Sequence, residues 1–310
     1  MAGNAAILKH APNVSGCALA IEEVMHEAGI PEELFRTVIA DTDQTQEMIT
    51  HDGIAAVTLT GSTRAGKAVA AQAGSGLKKT VLELGGSDPY LILGDADIEH
   101  AAETCVTSRL INSGQSCIAA KRLIVVEDKY EAFLDAVVDR MSLKHIGDPF
   151  DSSTDIGPMA REDLRDKLQE QVQDSIDAGA ECVLGGNVPA REGFFYPPTV
   201  LTNVSKGMPA YEEELFGPVA SIIKVADEQE AIEVANDTDY GLGAAVFSSD
   251  EERAEEIAAN ELEAGCCFIN EFVKSDPRLP FGGIKQSGYG RELSHVGIKE
   301  FVNTKTVYRA

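Results

Sequence analysis

Basic residues are scarce in this sequence: 26 Lys and Arg stand against 51 Asp and Glu in 310 residues, a formal net charge of −25 with His neutral. Nucleic acids and anionic lipid surfaces are gripped by clustered Lys and Arg, so this balance argues against both as partners. No apolar run approaches the ~20 residues that cross a bilayer, and no membrane association is expected. Met1-Ala2-Gly3-Asn4 leads into a strand-like stretch without the basic region of a signal peptide. The six cysteines, Cys17, Cys105, Cys117, Cys182, Cys266 and Cys267, include no Cys-x-x-Cys pair, and the six His show no metal-ligand spacing. A zinc site and a small disulfide framework are therefore not expected. Most of the thiols are expected to be buried as small hydrophobes, in a cytoplasmic protein.

What is abundant is acid and short apolar runs. Hydrophobic residues make up 44% and charged ones 25%, the composition of a compact chain and not of a disordered or coiled-coil one. The surplus carboxylates, as at Glu251-Glu252 and Glu255-Glu256, read as a solvated surface on helix faces. Their mutual repulsion is tolerable where ions screen it, which points to a salt-rich, halophilic setting.

Repeats and low-complexity linkers are absent, and apolar runs alternate with helical patterns, which predicts parallel βαβ layering. Ala5 to Leu8 reads as a strand, followed by an amphipathic helix from Ser15, its expected N-cap, that Gly29 and Pro31 stop. Val38 to Ala40, Ala55 to Thr60 and Thr80 to Leu84 repeat the strand theme, with a helix from about Thr63 to Ala73. These first residues resemble a nucleotide-binding α/β unit. Beyond Gly86, helices are expected near Glu99 to Leu110, Lys129 to Met141, Arg161 to Ala178 and Glu228 to Asn236, with strands near Arg122 to Val126, Glu181 to Leu184 and Ala220 to Val225. Thr304 to Arg309 reads as a terminal strand.

Three stretches carry chemistry. Thr60 to Lys67 joins a strand to a helix, where backbone amides and the helix dipole can hold a phosphate through Gly61 and Ser62. It nearly matches a triphosphate-binding loop, but Ala68 stands where magnesium binding needs Ser or Thr. Gly114-Gln115-Ser116-Cys117 sets a thiol on a flexible turn, where it can be exposed and activated, whereas helix-face thiols such as Cys17 and Cys105 are expected in the core. Glu83 is a carboxylate inside the apolar run Val81 to Leu84. Burial would raise its pKa toward the range of a general base, the plain alternative being an ion pair with a Lys or Arg.

Val81 to Gly86 and Gly114 to Cys117 resemble the two active-site signatures of the aldehyde dehydrogenases, and Glu214 to Pro218 and Pro280 to Gly288 resemble two further stretches of that family, in the same order and spacing. The resemblance covers the whole chain, and Leu8 to Asn13, Leu82 to Pro89 and Lys274 to Arg278 are most similar to its succinate-semialdehyde branch. It implies an α/β fold with a Rossmann-type cofactor domain (1–84), an α/β catalytic domain (85–281) and a return to the cofactor domain with an oligomerisation strand (282–310). It implies an NAD(P)-dependent oxidoreductase with Cys117 as nucleophile and Glu83 as deacylating base. NAD or NADP would meet Lys9 and Glu214 at its ribose hydroxyls, Gly61 and Ser62 at its phosphates, Phe216 at its nicotinamide, and the segment Glu83, Leu84 and Gly85. Pro12 stands where the family usually has a Glu for the 2′-hydroxyl, so the resemblance leaves NAD against NADP open. Arg109, Lys274 and Arg278 are candidates for a substrate carboxylate, with a surface cation as the alternative for each.

Family members carry roughly a further third of the chain upstream, including an Asn that helps bind the oxyanion and a hairpin used in subunit pairing. The resemblance thus implies an N-terminally truncated chain, a homo-oligomer that needs the upstream segment, and weak or absent turnover without it. A chain that only folds or binds nucleotide, and a cysteine hydrolase or triphosphatase, are the rival expectations.

Overall fold

The computed structural model describes residues 2–310. The chain forms two units: the first holds the chain up to Glu83 together with Asp276–Phe281 and Gly290–Ala310, the second Leu84–Ser275 and Gly282–Tyr289. The segment 282–289 thus belongs to the second unit, and the C-terminal return begins at Gly290 after a brief crossing at Asp276–Phe281.

In the first unit, β1 (Ala6–Leu8) is followed by α1 (Ser15–Glu27), β2 (Phe35–Thr37), α2 (Thr42–Thr50), β3 (Ala56–Thr60), α3 (Thr63–Ser75) and β4 (Lys79–Glu83). β1 pairs parallel with β2, and β3 with β4. The strand expected at Val38 to Ala40 lies three residues earlier. Leu8 pairs with Thr37, Val38 gives its N–H to Leu8, and Asp41 then begins α2 with a capping box shared with Gln44. Ser15 is not the N-cap of α1: a 3₁₀ turn at Pro12–Val14 leads in, and the Ser15 hydroxyl donates to the Pro12 carbonyl. Leu19, Ile21, Val24 and Met25 of α1 are exposed, and Ala18 is its buried residue.

The second unit is a three-layer α/β structure. Its elements are β5 (Pro89–Ile92), α4 (Ile98–Leu110), β6 (Arg122–Val126), α5 (Glu127–Ser142), α6 (Glu162–Asp177), β7 (Glu181–Leu184), β8 (Thr199–Thr202), α7 (Pro209–Glu212), β9 (Val219–Val225), α8 (Glu228–Asn236), β10 (Gly243–Phe247), α9 (Glu251–Asn260) and β11 (Cys266–Ile269). The strands form one sheet in the order β11-β10-β5-β6-β9-β8-β7, parallel except for the antiparallel β7–β8 pair. Alternate side chains feed opposite faces. Leu91, Ile124, Ile223 and Val246 pack with Ala231, Ile232, Ala254 and Ile257 of α8 and α9, while Tyr90, Ile92, Leu123, Val125 and Ile222 pack with Ala102, Cys105, Phe133 and Val137 of α4 and α5. A sheet covered on both faces buries its strands along their whole length, as in β6, where Leu123–Val126 are apolar and the buried Arg122 donates to the carbonyls of Ser87, Val234 and Ala235.

The C-terminal return to the first unit carries α10 (Ser294–Glu300), and the strand expected at Thr304 to Arg309 does not form. Val307 and Tyr308 there are 83% and 85% exposed. The cysteines depart from expectation as well: only Cys105 is buried, Cys17 is exposed on α1, and the other four are half-buried. Among the described residues no helix is long and apolar enough to cross a membrane, and no cluster of His, Cys, Asp and Glu could hold a metal.

Candidate active site

In the second unit the geometry begins with a reversal after α4. Asn112, Ser113 and Gly114 take left-handed backbone angles in succession, with φ of 53°, 55° and 75°. The Ser113 hydroxyl donates to Gly157, and the Gln115 side chain accepts from the Ala160 amide, pinning the turn from outside. A Cβ at Gly114 would lie 2.3 Å from the Gly217 carbonyl carbon, so the turn sits directly on the Glu214–Pro218 backbone. Arg109, 0% exposed, donates to the carbonyls of Gly114 and Ala120 and so spans the loop from its first residues to its last. Cys117 stands half-buried within it.

Lys121 closes the loop. Its side chain is 2% exposed, and its ammonium donates to the carbonyls of Ser116 (2.9 Å) and Cys117 (2.8 Å) and lies 3.5 Å from a Glu214 oxygen. Burial pulls its pKa down, opposed first by Glu214. The same Glu214 oxygen accepts the Gly86 amide at 3.0 Å, and a Cβ at Gly86 would come within 2.7 Å of the Cys117 carbonyl. The fully buried Ser287 donates to the Gly85 carbonyl at 2.6 Å and accepts from Gly241, while its own carbonyl accepts from Leu84. Four stretches far apart in sequence, at residues 84–86, 114–117, 214–218 and 282–288, are therefore bound into one arrangement around a thiol. Beside it Asp88 is 1% exposed, accepts from the Gly243 amide, and is pushed by burial up to about 6.

In the first unit, Glu83 ends β4 and is 3% exposed, with no hydrogen-bond partner on either carboxylate oxygen among the described residues. Burial, reinforced by the Glu292 carboxylate, pushes it up to about 7 against the opposing charge of Arg291. It is not a tightly paired carboxylate. Its carbonyl accepts from the Gly61 amide, and Ser62 caps α3 by accepting from Ala65. Lys9, half-buried, follows β1, and the next residue, His10, lines a cavity of about 140 Å³ together with Pro12, Ala18, Val38 and Ile39.

A family model described as the aldehyde dehydrogenase family matches residues 1–307. The chain belongs to that family. It is 50% identical over 309 residues to the succinate semialdehyde dehydrogenase [NAD(P)+] Sad of Escherichia coli (strain K12), covering 100% of this chain and 67% of that protein. It is 49% identical to a succinate-semialdehyde dehydrogenase [NADP(+)] 1 of Mycobacterium ulcerans (strain Agy99), covering 99% and 67%. The crystal structure of the succinic semialdehyde dehydrogenase from Streptococcus pyogenes in complex with NADP+ superposes with a TM-score of 0.96 at 42% identity, over 99% of this chain and 67% of that one. The chain thus spans about two thirds of the length of these aldehyde dehydrogenases.

Within this aldehyde dehydrogenase chain the three candidate substrate cations are placed differently from one another. Arg109 is no surface cation, since its guanidinium is turned onto backbone carbonyls within the second unit. Arg278 is 84% exposed along its side chain and pairs with Asp276, and Lys274 pairs with Glu271 at 2.6 Å. Phe216 is half-buried and Leu84 buried. Sequence reasoning does not single out Lys121, Asp88 or Ser287, although Asp88 and Ser287 lie inside the stretches Leu82 to Pro89 and Pro280 to Gly288 that carry the resemblance. The available signal for Lys121 was a cation directly before the strand Arg122–Val126, whose last four residues are apolar.

Proposed function

We propose that this chain oxidises an aldehyde to the carboxylic acid with NAD+ or NADP+ as the hydride acceptor, and that the aldehyde is succinate semialdehyde. The semialdehyde is supported by the relatives of 50% and 49% identity and by the sequence stretches typical of that branch. The observation that carries the chemistry is the half-buried Cys117 on a turn fixed by Gly114, Arg109 and Lys121. A thiol held this way is pre-aimed, so little conformational freedom is lost on attack.

The residues present fit a dinucleotide. Pro12, Ala18, Val38 and Ile39 offer apolar lining to a flat base, and the exposed Gly61-Ser62 turn opens α3 and offers the positive end of a 13-residue helix to phosphate. Lys9 and Glu214 would hold ribose hydroxyls, Phe216 would wall the nicotinamide, and Leu84 and Gly85 would lie against the group. When bound, the nicotinamide supplies the hydride acceptor. The protein's part is to supply the sulfur and manage the protons. Cys117 Sγ adds to the aldehyde carbon and later carries the acyl group as a thioester. Glu83, poised near neutrality, takes a proton from the water that cleaves the thioester. A homo-oligomer completes the reading, supported by the exposed apolar side chains of Val307 and Tyr308.

The test is semialdehyde-dependent formation of NADH or NADPH by the purified chain and its cysteine variants. Cys117→Ala should remove it while preserving the fold, and Cys266→Ala and Cys267→Ala should retain it. Equal loss in all three, or nucleotide binding without any oxidation in the unmodified chain, would overturn the proposal.

A further inference from the structure

We propose that Lys121 is a positioning residue for the nucleophile: its buried ammonium clamps the peptide at Ser116 and Cys117 and keeps a positive charge beside the Cys117 thiol. The inference rests on Cys117 being the attacking sulfur. Burying an ammonium is costly, and the cost is offset only by good hydrogen bonds and an opposite charge. Here the two good bonds, at 2.9 and 2.8 Å, go to consecutive loop carbonyls, and the carboxylate of Glu214 stands farther off at 3.5 Å. Satisfying two carbonyls needs a donor and not a charge. What the charge adds is a field favouring an anion on the loop.

The charged and titratable groups facing Lys121 are Glu214, Arg109, Asp88 and Cys117. Arg109 adds a second cation, spent on the carbonyls of Gly114 and Ala120. Asp88 is drawn toward its neutral form by burial, and Glu214 shares the oxygen nearest Lys121 with the Gly86 amide. Of the two cations, only Lys121 is bonded to the peptide of the cysteine itself. A cation near a thiol lowers its pKa and raises its thiolate fraction.

The experiment measures the pH dependence of Cys117 alkylation by iodoacetamide, read by mass spectrometry of the Cys117 peptide without nucleotide or aldehyde. Lys121→Gln keeps a donor, one bond shorter in reach, and removes the charge, Lys121→Met removes both, and Lys121→Arg keeps the charge. Gln and Met should raise the alkylation midpoint by about one pH unit, and Arg should return it toward wild type. Glu214→Gln, which leaves the ammonium intact and removes its counter-charge, should lower the midpoint, and this reports even if the Lys121 variants fail to fold. A wild-type midpoint in Lys121→Gln, or an unmoved or raised one in Glu214→Gln, overturns the proposal. Alkylation reads the thiol without turnover, so failure of the oxidation reading would show in the Cys117→Ala activity comparison and not here.

Discussion

Gly114 and Gly217 touch backbone to backbone: a single Cβ on Gly114 would lie 2.3 Å from both the carbonyl carbon and the oxygen of Gly217. The thiol-bearing turn and the Glu214–Pro218 stretch are therefore one piece of structure, and the contact works only because Gly114 has no side chain; a Cβ on Gly217 would meet Leu168 Cδ2 at 2.3 Å instead. Gly114 also holds φ of +75°, where an L side chain is strained.

Gly114→Ala should consequently lose both its backbone angle and its seat. A destabilisation of about 2–4 kcal/mol is expected from strain and overpacking together. Chemical denaturation checks the stability, and iodoacetamide labelling checks the thiol, which should become less selectively reactive as the turn loosens. A variant as stable as wild type would show that the turn can shift without cost.

Arg109 makes a separate prediction. Replacing it by Met leaves the Gly114 and Ala120 carbonyls without their donor in a fully buried place, and each orphaned acceptor costs roughly 1–3 kcal/mol. Arg109→Met should unfold at distinctly lower denaturant, and Arg109→Lys should recover part of the loss because one ammonium can reach one of the two carbonyls. Unchanged KM for semialdehyde in a folded Arg109 variant is expected too, since the guanidinium faces backbone.

These two residues also show what the sequence could and could not reveal. Gly114 and the loop thiol of Cys117 were legible because a positive φ and a reactive side chain can each be met by few residue types, so the constraint leaves a mark in the residue itself. Arg109 and Lys121 were not, because a cation looks alike whether it meets solvent, a substrate or a buried carbonyl. The same divide runs through the fold. Arg122–Val126 and Glu228–Asn236 announce themselves by period and length, whereas β10, Gly-Ala-Ala-Val-Phe, is covered on both faces and its small residues carry no alternation. β2 lies three residues before the apolar Val38 to Ala40 because the pairing register with β1 ends at Thr37, whatever apolar character follows. Thr304 to Arg309 has strand-forming residues without a strand, because a strand needs a partner and pattern alone does not supply one.

The acidic surface yields a prediction independent of the site. With 51 Asp and Glu against 26 Lys and Arg, repulsion opposes the compact state, and screening relieves it as the Debye length falls from about 10 Å at 0.1 M salt to about 3 Å at 1 M. The melting temperature should climb with KCl into the molar range. A flat profile would mean that local pairs such as those of Arg253 with Glu228, Glu256 and Glu261 already compensate the charge.

Glu83 gives the sharpest pH signature. Its carboxyl is held at about 7 in the folded chain against an ordinary value of 4.5, so the folded state binds the proton more tightly than the unfolded state does. Stability from that proton is fully present below about pH 4.5 and is lost as pH rises through about 7, amounting to roughly 3 kcal/mol by linkage. Other carboxylates with lowered values, such as Asp237 beside Lys206, work in the opposite direction, so the total curve does not isolate the effect. The difference between wild type and Glu83→Gln does, because Gln cannot ionise: the variant should gain stability relative to wild type from pH 5 to pH 8. On the mechanism proposed above, in which Cys117 forms the thioester and Glu83 is the base for its hydrolysis, the same substitution should leave a burst of reduced nicotinamide followed by slow turnover. A stability difference that stays constant over that pH range would mean that Glu83 keeps an ordinary carboxyl pKa and is not poised as a base.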